Sequence, residues 1–177
     1  MNVEELMTKS VKTCGPEDSL ESAARLMWEN DCGCVPITDE QGHPLAMLTD
    51  RDICMAALTQ GRTLGEIRVK RAMSGTLHAV DPREPLAKAE RMMQEFQVRR
   101  LPVVDGEGRL QGLLSMNDIA REAARERPQR QRAVTSDDVA ATLASVCRPR
   151  VCRIEGASQT AAQPGAGRLL ESGAAAV

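Results

Sequence analysis

Apolar residues fall at helical spacing over Leu20, Ala23, Ala24 and Met27, and again over Leu86, Ala89, Met93 and Phe96. The i, i+3, i+4, i+7 pattern predicts two amphipathic helices, the first with Ser19 as N-cap. Each is preceded by a short stretch that predicts extended chain, Val11 to Cys14 and Leu77 to Val80, and then by a proline. After each helix comes a run that predicts a strand, Val35-Pro36-Ile37-Thr38 or Leu101-Pro102-Val103-Val104, with the early proline marking an edge or a strand start. A turn follows at Asp39-Glu40-Gln41-Gly42 or Asp105-Gly106-Glu107-Gly108. A second strand is predicted at Leu45 to Leu48 or Leu110 to Leu114, and a last helix from Asp50 or Met116.

The order β-α-β-β-α therefore occurs twice. A shift of 66 residues lays Leu6–Ala57 over Ala72–Ala123 without a gap, and Met7, Pro16, Leu20, Arg25, Met27, Pro36, Asp39, Gly42, Leu48, Asp52 and Ile53 meet identical residues. An internal repeat that keeps apolar positions in phase is one structural unit used twice. A unit this small cannot bury both faces of its sheet, so the copies are expected to pack together about a pseudo-twofold axis. The fold class is α/β in the α+β sense. The expected divisions are residues 6–66 and 72–128 for the two repeats, 129–154 for a linker and C-terminal helix, and 155–177 for a tail. The helix starts at Thr135-Ser136-Asp137-Asp138, with a stripe of Val139, Leu143 and Val146. The tail is rich in Gly, Ala, Ser and Gln, which predicts disorder.

Composition narrows the function. With one Trp, one Phe and no Tyr, the chain has no ring platform for stacking bases or sugars. The net charge of −2 gives no global field toward nucleic acid or anionic lipid. The Arg125, Arg127, Arg130 and Arg132 cluster reads as a solvated linker rather than a nucleic-acid site. No apolar run approaches the roughly 20 residues that span a bilayer. The acidic start, Met1-Asn2-Val3-Glu4-Glu5, is unlike a signal peptide, so a cytoplasmic location and reduced thiols are expected. Cys14 and Cys54 are expected in the core, as are Met27, Met55, Met92 and Met93. Cys32-x-Cys34 lacks the further ligands that zinc requires, so no metal site is expected. No Ser/His/Asp or Cys/His arrangement, Walker loop or HExxH is present, so no catalytic residue is assigned.

The chemistry is concentrated at the end of each second strand. Ala46-Met47-Leu48-Thr49-Asp50-Arg51-Asp52 and Gly112-Leu113-Leu114-Ser115-Met116-Asn117-Asp118 both fit small-h-h-[Ser/Thr]-x-x-Asp. A helix start offers unpaired N–H groups to an anion, and an ionised Asp can accept both hydroxyls of a cis diol. The small residue, Ala46 or Gly112, would let a ring approach the backbone. The same spacing is also a capping box, and the two roles are compatible until a ligand arrives.

With this motif, the h-Pro-h-h strand and the element order, residues 6 to 125 resemble a tandem pair of cystathionine-β-synthase (CBS) domains, as in small bacterial proteins that contain little else. The resemblance implies a regulatory module that needs no cofactor for chemistry. Its implied ligand is AMP, ADP, ATP, S-adenosylmethionine or a dinucleotide, bound in clefts between the repeats. It also implies a homodimer formed through helices, and an effector protein that reads the bound state. In the family the hydroxyl residue contacts phosphate, which here means Thr49 and Ser115, and the aspartate holds the ribose, here Asp52 and Asp118. The basic pair Arg99-Arg100 would point to phosphate; its counterpart Gly33-Cys34 carries no charge, so the two clefts are not equivalent. With Gly112 and the arginines in its repeat, Asp118 is expected to matter more than Asp52, although a cleft shared by both repeats would place the arginines opposite the other motif. The rival expectation is a thiol-based redox or stress-interaction protein with vestigial clefts.

Overall fold

The computed structural model describes residues 1–124 and 134–147. The arginine cluster at 125–132, Cys152 and the tail beyond Glu155 lie outside the described residues. The first repeat holds α1 (Leu20–Glu29), β1 (Cys34–Thr38), β2 (Pro44–Thr49) and α2 (Asp50–Gln60). The second holds α3 (Leu86–Phe96), β3 (Arg100–Val104), β4 (Leu110–Ser115) and α4 (Met116–Ala123), and α5 (Ser136–Val146) follows. Ser19 Oγ accepts the Ser22 N–H at the start of α1, satisfying one of the donors a helix leaves open there. The predicted stripes face inward, with Leu20, Ala23 and Met27 buried on α1 and Leu86, Ala89 and Met93 on α3. Phe96 is only partly buried and stacks on His78, ring centroids 3.7 Å apart.

Each strand pair is an antiparallel hairpin of its own. Val35 pairs with Leu48 and Ile37 with Ala46; in the second repeat Leu101 pairs with Leu114 and Val103 with Gly112. These residues face the helices, while Cys34, Pro36, Met47 and Thr49, or Arg100, Pro102, Leu113 and Ser115, occupy the opposite face by strand alternation. Gly42 and Gly108 hold φ of 86° and 79° in the hairpin turns, a region closed to most side chains.

The extended stretches before the helices join the sheets through one residue each. Cys14 N–H donates to the Pro36 carbonyl and Thr38 N–H to the Cys14 carbonyl; Val80 stands likewise between Pro102 and Val104. The rungs on either side would need N–H groups from Pro36 and Pro16, or Pro102 and Pro82, which have none. The prolines cut the expected strands down to single parallel bridges.

The halves are related by the pseudo-twofold axis and interlock. A 3-10 turn at Val3–Glu5 docks on the second repeat, with Val3 N–H on the Glu84 carbonyl and Thr8 bridged to Leu113. Its counterpart at Val69–Arg71 docks on the first, with Val69 N–H on the Asp18 carbonyl and Ser74 N–H on the Met47 carbonyl. The hairpin turns also touch, Leu110 N–H donating to the Gly42 carbonyl.

One feature breaks the symmetry. Helix α5, capped by Thr135, packs on α3 and α4 of the second repeat. Val134, Thr142 and Val146 are buried there, and Gln94 Nε2 donates to Thr142 Oγ1 at 2.9 Å. Among the described residues nothing covers the matching face of α1 and α2, where Trp28 is 88% and Leu58 74% exposed. Two core expectations fail on this face. Cys54 and Met55 are exposed because both lie on the outer side of α2, whose buried side carries Ile53 and Ala56.

Candidate functional site

The two small-h-h-[Ser/Thr]-x-x-Asp segments run from the end of a strand into the first turn of a helix. At α2, Thr49 Oγ1 accepts the Asp52 N–H at 3.2 Å, and Asp52 Oδ2 accepts from Thr49 N–H at 2.9 Å and from Thr49 Oγ1–H at 2.7 Å. At α4, Ser115 Oγ accepts the Asp118 N–H at 3.3 Å, and Asp118 Oδ2 accepts from Ser115 N–H at 2.8 Å and from Oγ–H at 2.6 Å. Both are complete capping boxes. The hydroxyl and carboxylate are thereby fixed in rotamer before any ligand is present. Asp118 is buried and Asp52 half-buried.

The arginines separate. Arg99 turns toward α5, its Nη2 lying 3.7 Å from Cys147 Sγ. Arg100 crosses to the first repeat: a Cβ placed on Gly33 would lie 3.9 Å from Arg100 Nη2 and 3.1 Å from Asp50 Oδ2. A side chain at Gly33 would crowd the Asp50 carboxylate and meet the guanidinium at ordinary contact distance. The same arginine acts on Cys34. Burial pushes the Cys34 thiol up to about 11, Arg100 pulls against this, and Cys32 and Asp50 add to it. Cys14 is likewise pushed up to about 11, first by burial, then by Asp18 and Cys32.

The small residues Gly112 and Ala46 lie under protein in this structure. A Cβ on Gly112 would come within 2.7 Å of Met7 Sδ and 2.8 Å of the Thr8 carbonyl, so glycine is required there by the crossing N-terminal segment. Ala46 is fully buried. Two open grooves lie away from these residues. A groove of about 400 Å³ between α1 and α2 is lined by Met27, Trp28, Asp31, Gly33, Asp50 and Ile53. Another of about 510 Å³ lies between α3 and α5, beside Arg91, Gln94 and Ser145. Neither contains Thr49, Asp52, Ser115 or Asp118, although the first reaches Gly33 and Asp50 beside Arg100.

Two participants escaped the sequence reading. Arg121 donates Nη2–H to Asp118 Oδ1, an ion pair one helical turn apart. The i, i+3 spacing was visible, but which of the neighbouring charges Arg121 meets depends on its rotamer. Asp50 opens α2, and its place near Gly33 and Arg100 is set only when both halves are assembled. Among the described residues no group of three or more His, Cys, Asp or Glu side chains is placed to hold a metal ion, and no helix is long and apolar enough to cross a membrane.

Comparison with known proteins agrees with the double motif. The family model for the CBS domain matches residues 3–59 and 65–125. The CBS domain-containing protein YhcV of Bacillus subtilis is 38% identical over 119 residues, covering 67% of this chain and 83% of that protein. Among solved structures, hypoxic response protein I with two coordinated zinc ions is 32% identical at a TM-score of 0.61, covering 68% of this chain and 98% of that one. The CBS domain pair of protein MJ0100, in complex with 5′-methylthioadenosine and S-adenosyl-L-methionine, is 25% identical at a TM-score of 0.62, covering 68% and 94%. CBSX2 in complex with AMP is 27% identical at a TM-score of 0.60, covering 69% and 95%. With two consecutive repeats matched across most of its length, and with the fold of the solved pairs, this chain belongs to the CBS domain family.

Proposed function

We propose that this chain is a regulatory module that binds an adenosine-type ligand between its two repeats and transmits occupancy to a partner. The observation that carries this is the doubled site: the same hydroxyl–aspartate helix start, already held in rotamer, at the end of matching strands in two interlocked halves. The adenosine compounds bound by MJ0100 and CBSX2 support the ligand class. In this reading Thr49 and Ser115, with the helix starts behind them, face the 5′ substituent of the ligand. Asp52 and Asp118 accept from the ribose diol, and Arg100 supplies positive charge next to the first helix start. Arg99, turned toward α5, is less suited to that task, and Gly112 and Ala46 serve packing first. The module acts by binding, with no catalytic group assigned and no cofactor needed.

The interlocked halves suggest how binding becomes a signal. A ligand bridging both hairpins would change how they pack, and the change would reach α1, α2 and α5 on the far side of each sheet. For the homodimer, the uncovered α1/α2 face with Trp28 and Leu58 is the surface available to a second copy. The equivalent surface of the second repeat is already covered by α5.

The test is a thermal-shift and calorimetric screen with AMP, ATP and S-adenosylmethionine. A ligand at 100 times its Kd adds about 2.7 kcal/mol of stability. A flat response to all three at millimolar concentration would sink the proposal. The thiol-based rival draws little support from Cys14 and Cys34, whose raised values keep them protonated near neutral pH.

A further inference from the structure

The geometry points to unequal sites: the first repeat carries the open diol acceptor, and Arg121 closes the second. This rests on the adenosine-binding reading above. In both motifs one carboxylate oxygen is spent on capping. Asp52 Oδ2 accepts two hydrogen bonds from Thr49, and Asp118 Oδ2 accepts two from Ser115. A carboxylate oxygen has two lone-pair sites, so each Oδ2 is filled. A ribose diol must therefore use Oδ1.

The two Oδ1 atoms differ. Asp52 Oδ1 has no hydrogen-bond or ion-pair partner among the described residues. Asp118 Oδ1 is held by Arg121 Nη2. The difference is written into the repeat, since the residue 66 positions before Arg121 is Met55, which is uncharged and half-exposed. A diol approaching Asp118 must first displace a guanidinium from a buried carboxylate. A diol approaching Asp52 displaces only water.

Positive charge is divided the same way. Arg100, which lies in the second repeat, reaches Gly33, which Asp50 at the first helix start also adjoins. The first site thus combines an unoccupied acceptor with a neighbouring cation. Asp50 beside that cation opposes a phosphate, so both a phosphate and a sulfonium form of the ligand are useful probes.

The experiment is calorimetric titration of the full chain with AMP and, separately, with S-adenosylmethionine. Wild type is expected to show one tight equivalent per chain. Asp52→Ala should weaken that event at least tenfold, the loss expected for a charged acceptor. Met55→Arg, a change at an exposed position that leaves the cap intact, should weaken it by a similar factor by copying the second site's ion pair. Arg121→Met should add a second equivalent. A wild-type affinity in both Asp52→Ala and Met55→Arg, or an Arg121→Met protein that binds no additional ligand or binds more weakly, would overturn the assignment. The last of these would mean that Arg121 grips ligand instead of blocking it. No heat with either probe, in wild type and in Arg121→Met alike, would overturn the adenosine-binding reading and this inference together.

Discussion

Val3 and Val69 stand 66 residues apart, and each is fully buried in the half of the molecule that the other's following repeat builds. Val3 lies in the core with Leu86, Met93 and Leu101; Val69 lies with Leu20, Ile37 and Leu48. Their N–H groups bond to equivalent carbonyls, Glu84 at 3.0 Å and Asp18 at 2.9 Å. Each repeat thus contributes its leading turn to its neighbour.

This exchange makes the halves interdependent. Val3→Ala removes a fully buried side chain and should cost about 2 kcal/mol. The loss should appear as one lowered, cooperative melting transition of the whole chain, although the change lies in the second core. A calorimetric scan that resolves two transitions, only one of them shifted, would contradict the exchange.

The capping boxes have a stability role independent of ligand. Thr49→Ala and Ser115→Ala each remove the acceptor for an N3 amide and a donor to the aspartate. Each should lower stability by about 1 kcal/mol in denaturant titration without nucleotide. The two caps share no hydrogen bond, so the double variant should lose about the sum.

Glu90 on α3 is buried beneath α5, and its Oε1 has no hydrogen-bond partner among the described residues. Burial raises its pKa, and Asp138 on α5 adds to the rise. A raised folded-state pKa means the folded protein holds this proton more tightly than the unfolded chain does. The stability associated with Glu90 is therefore full below its unfolded value and is lost as pH rises through the folded one. Glu90→Gln should be more stable than wild type at pH 7, and the gain should vanish toward pH 4. Hydrogen exchange of α5 amides should slow in the same variant at pH 7. An equal gain at both pH values would assign the effect to packing instead.

Cysteine reactivity should divide by burial. Cys14 and Cys34, with thiols at about 11, should resist alkylation at pH 8, whereas exposed Cys54 and Cys147 should label readily. Mass spectrometry of peptides after brief iodoacetamide treatment measures this. Fast labelling of Cys34 in the folded chain would revive the redox reading.

Self-association should depend on the α1/α2 face. Trp28→Glu and Leu58→Glu place charge on its two most exposed apolar residues and should shift sedimentation at micromolar concentration from dimer to monomer. A charge on α5 at exposed Leu143 should leave the mass unchanged. A wild-type chain that sediments as a monomer would remove this interface.

The sequence by itself determined what depends on neighbours along the chain. The 66-residue period, the apolar stripes over Leu20–Met27 and Leu86–Met93, and the Thr49–Asp52 and Ser115–Asp118 caps all follow from short-range hydrogen bonds and helical spacing. Tertiary structure decided what depends on how the halves meet. Pro16, Pro36, Pro82 and Pro102 were visible, yet only the pairing geometry shows that they reduce the expected strands to single bridges. Gly112 was read as room for a ligand, and the crossing Met7–Thr8 segment fills that room. For Arg100 the sequence leaves two options, its own motif or the opposite one in a shared cleft, and the packing of the halves selects the second. Met55 and Cys54 matched a core composition, but on α2 only the face carrying Ile53 and Ala56 meets the sheet. Spacing sets which residues share a helix face or strand edge; which of those faces finds a partner is settled only when distant segments dock, since burial energy belongs to the assembled core.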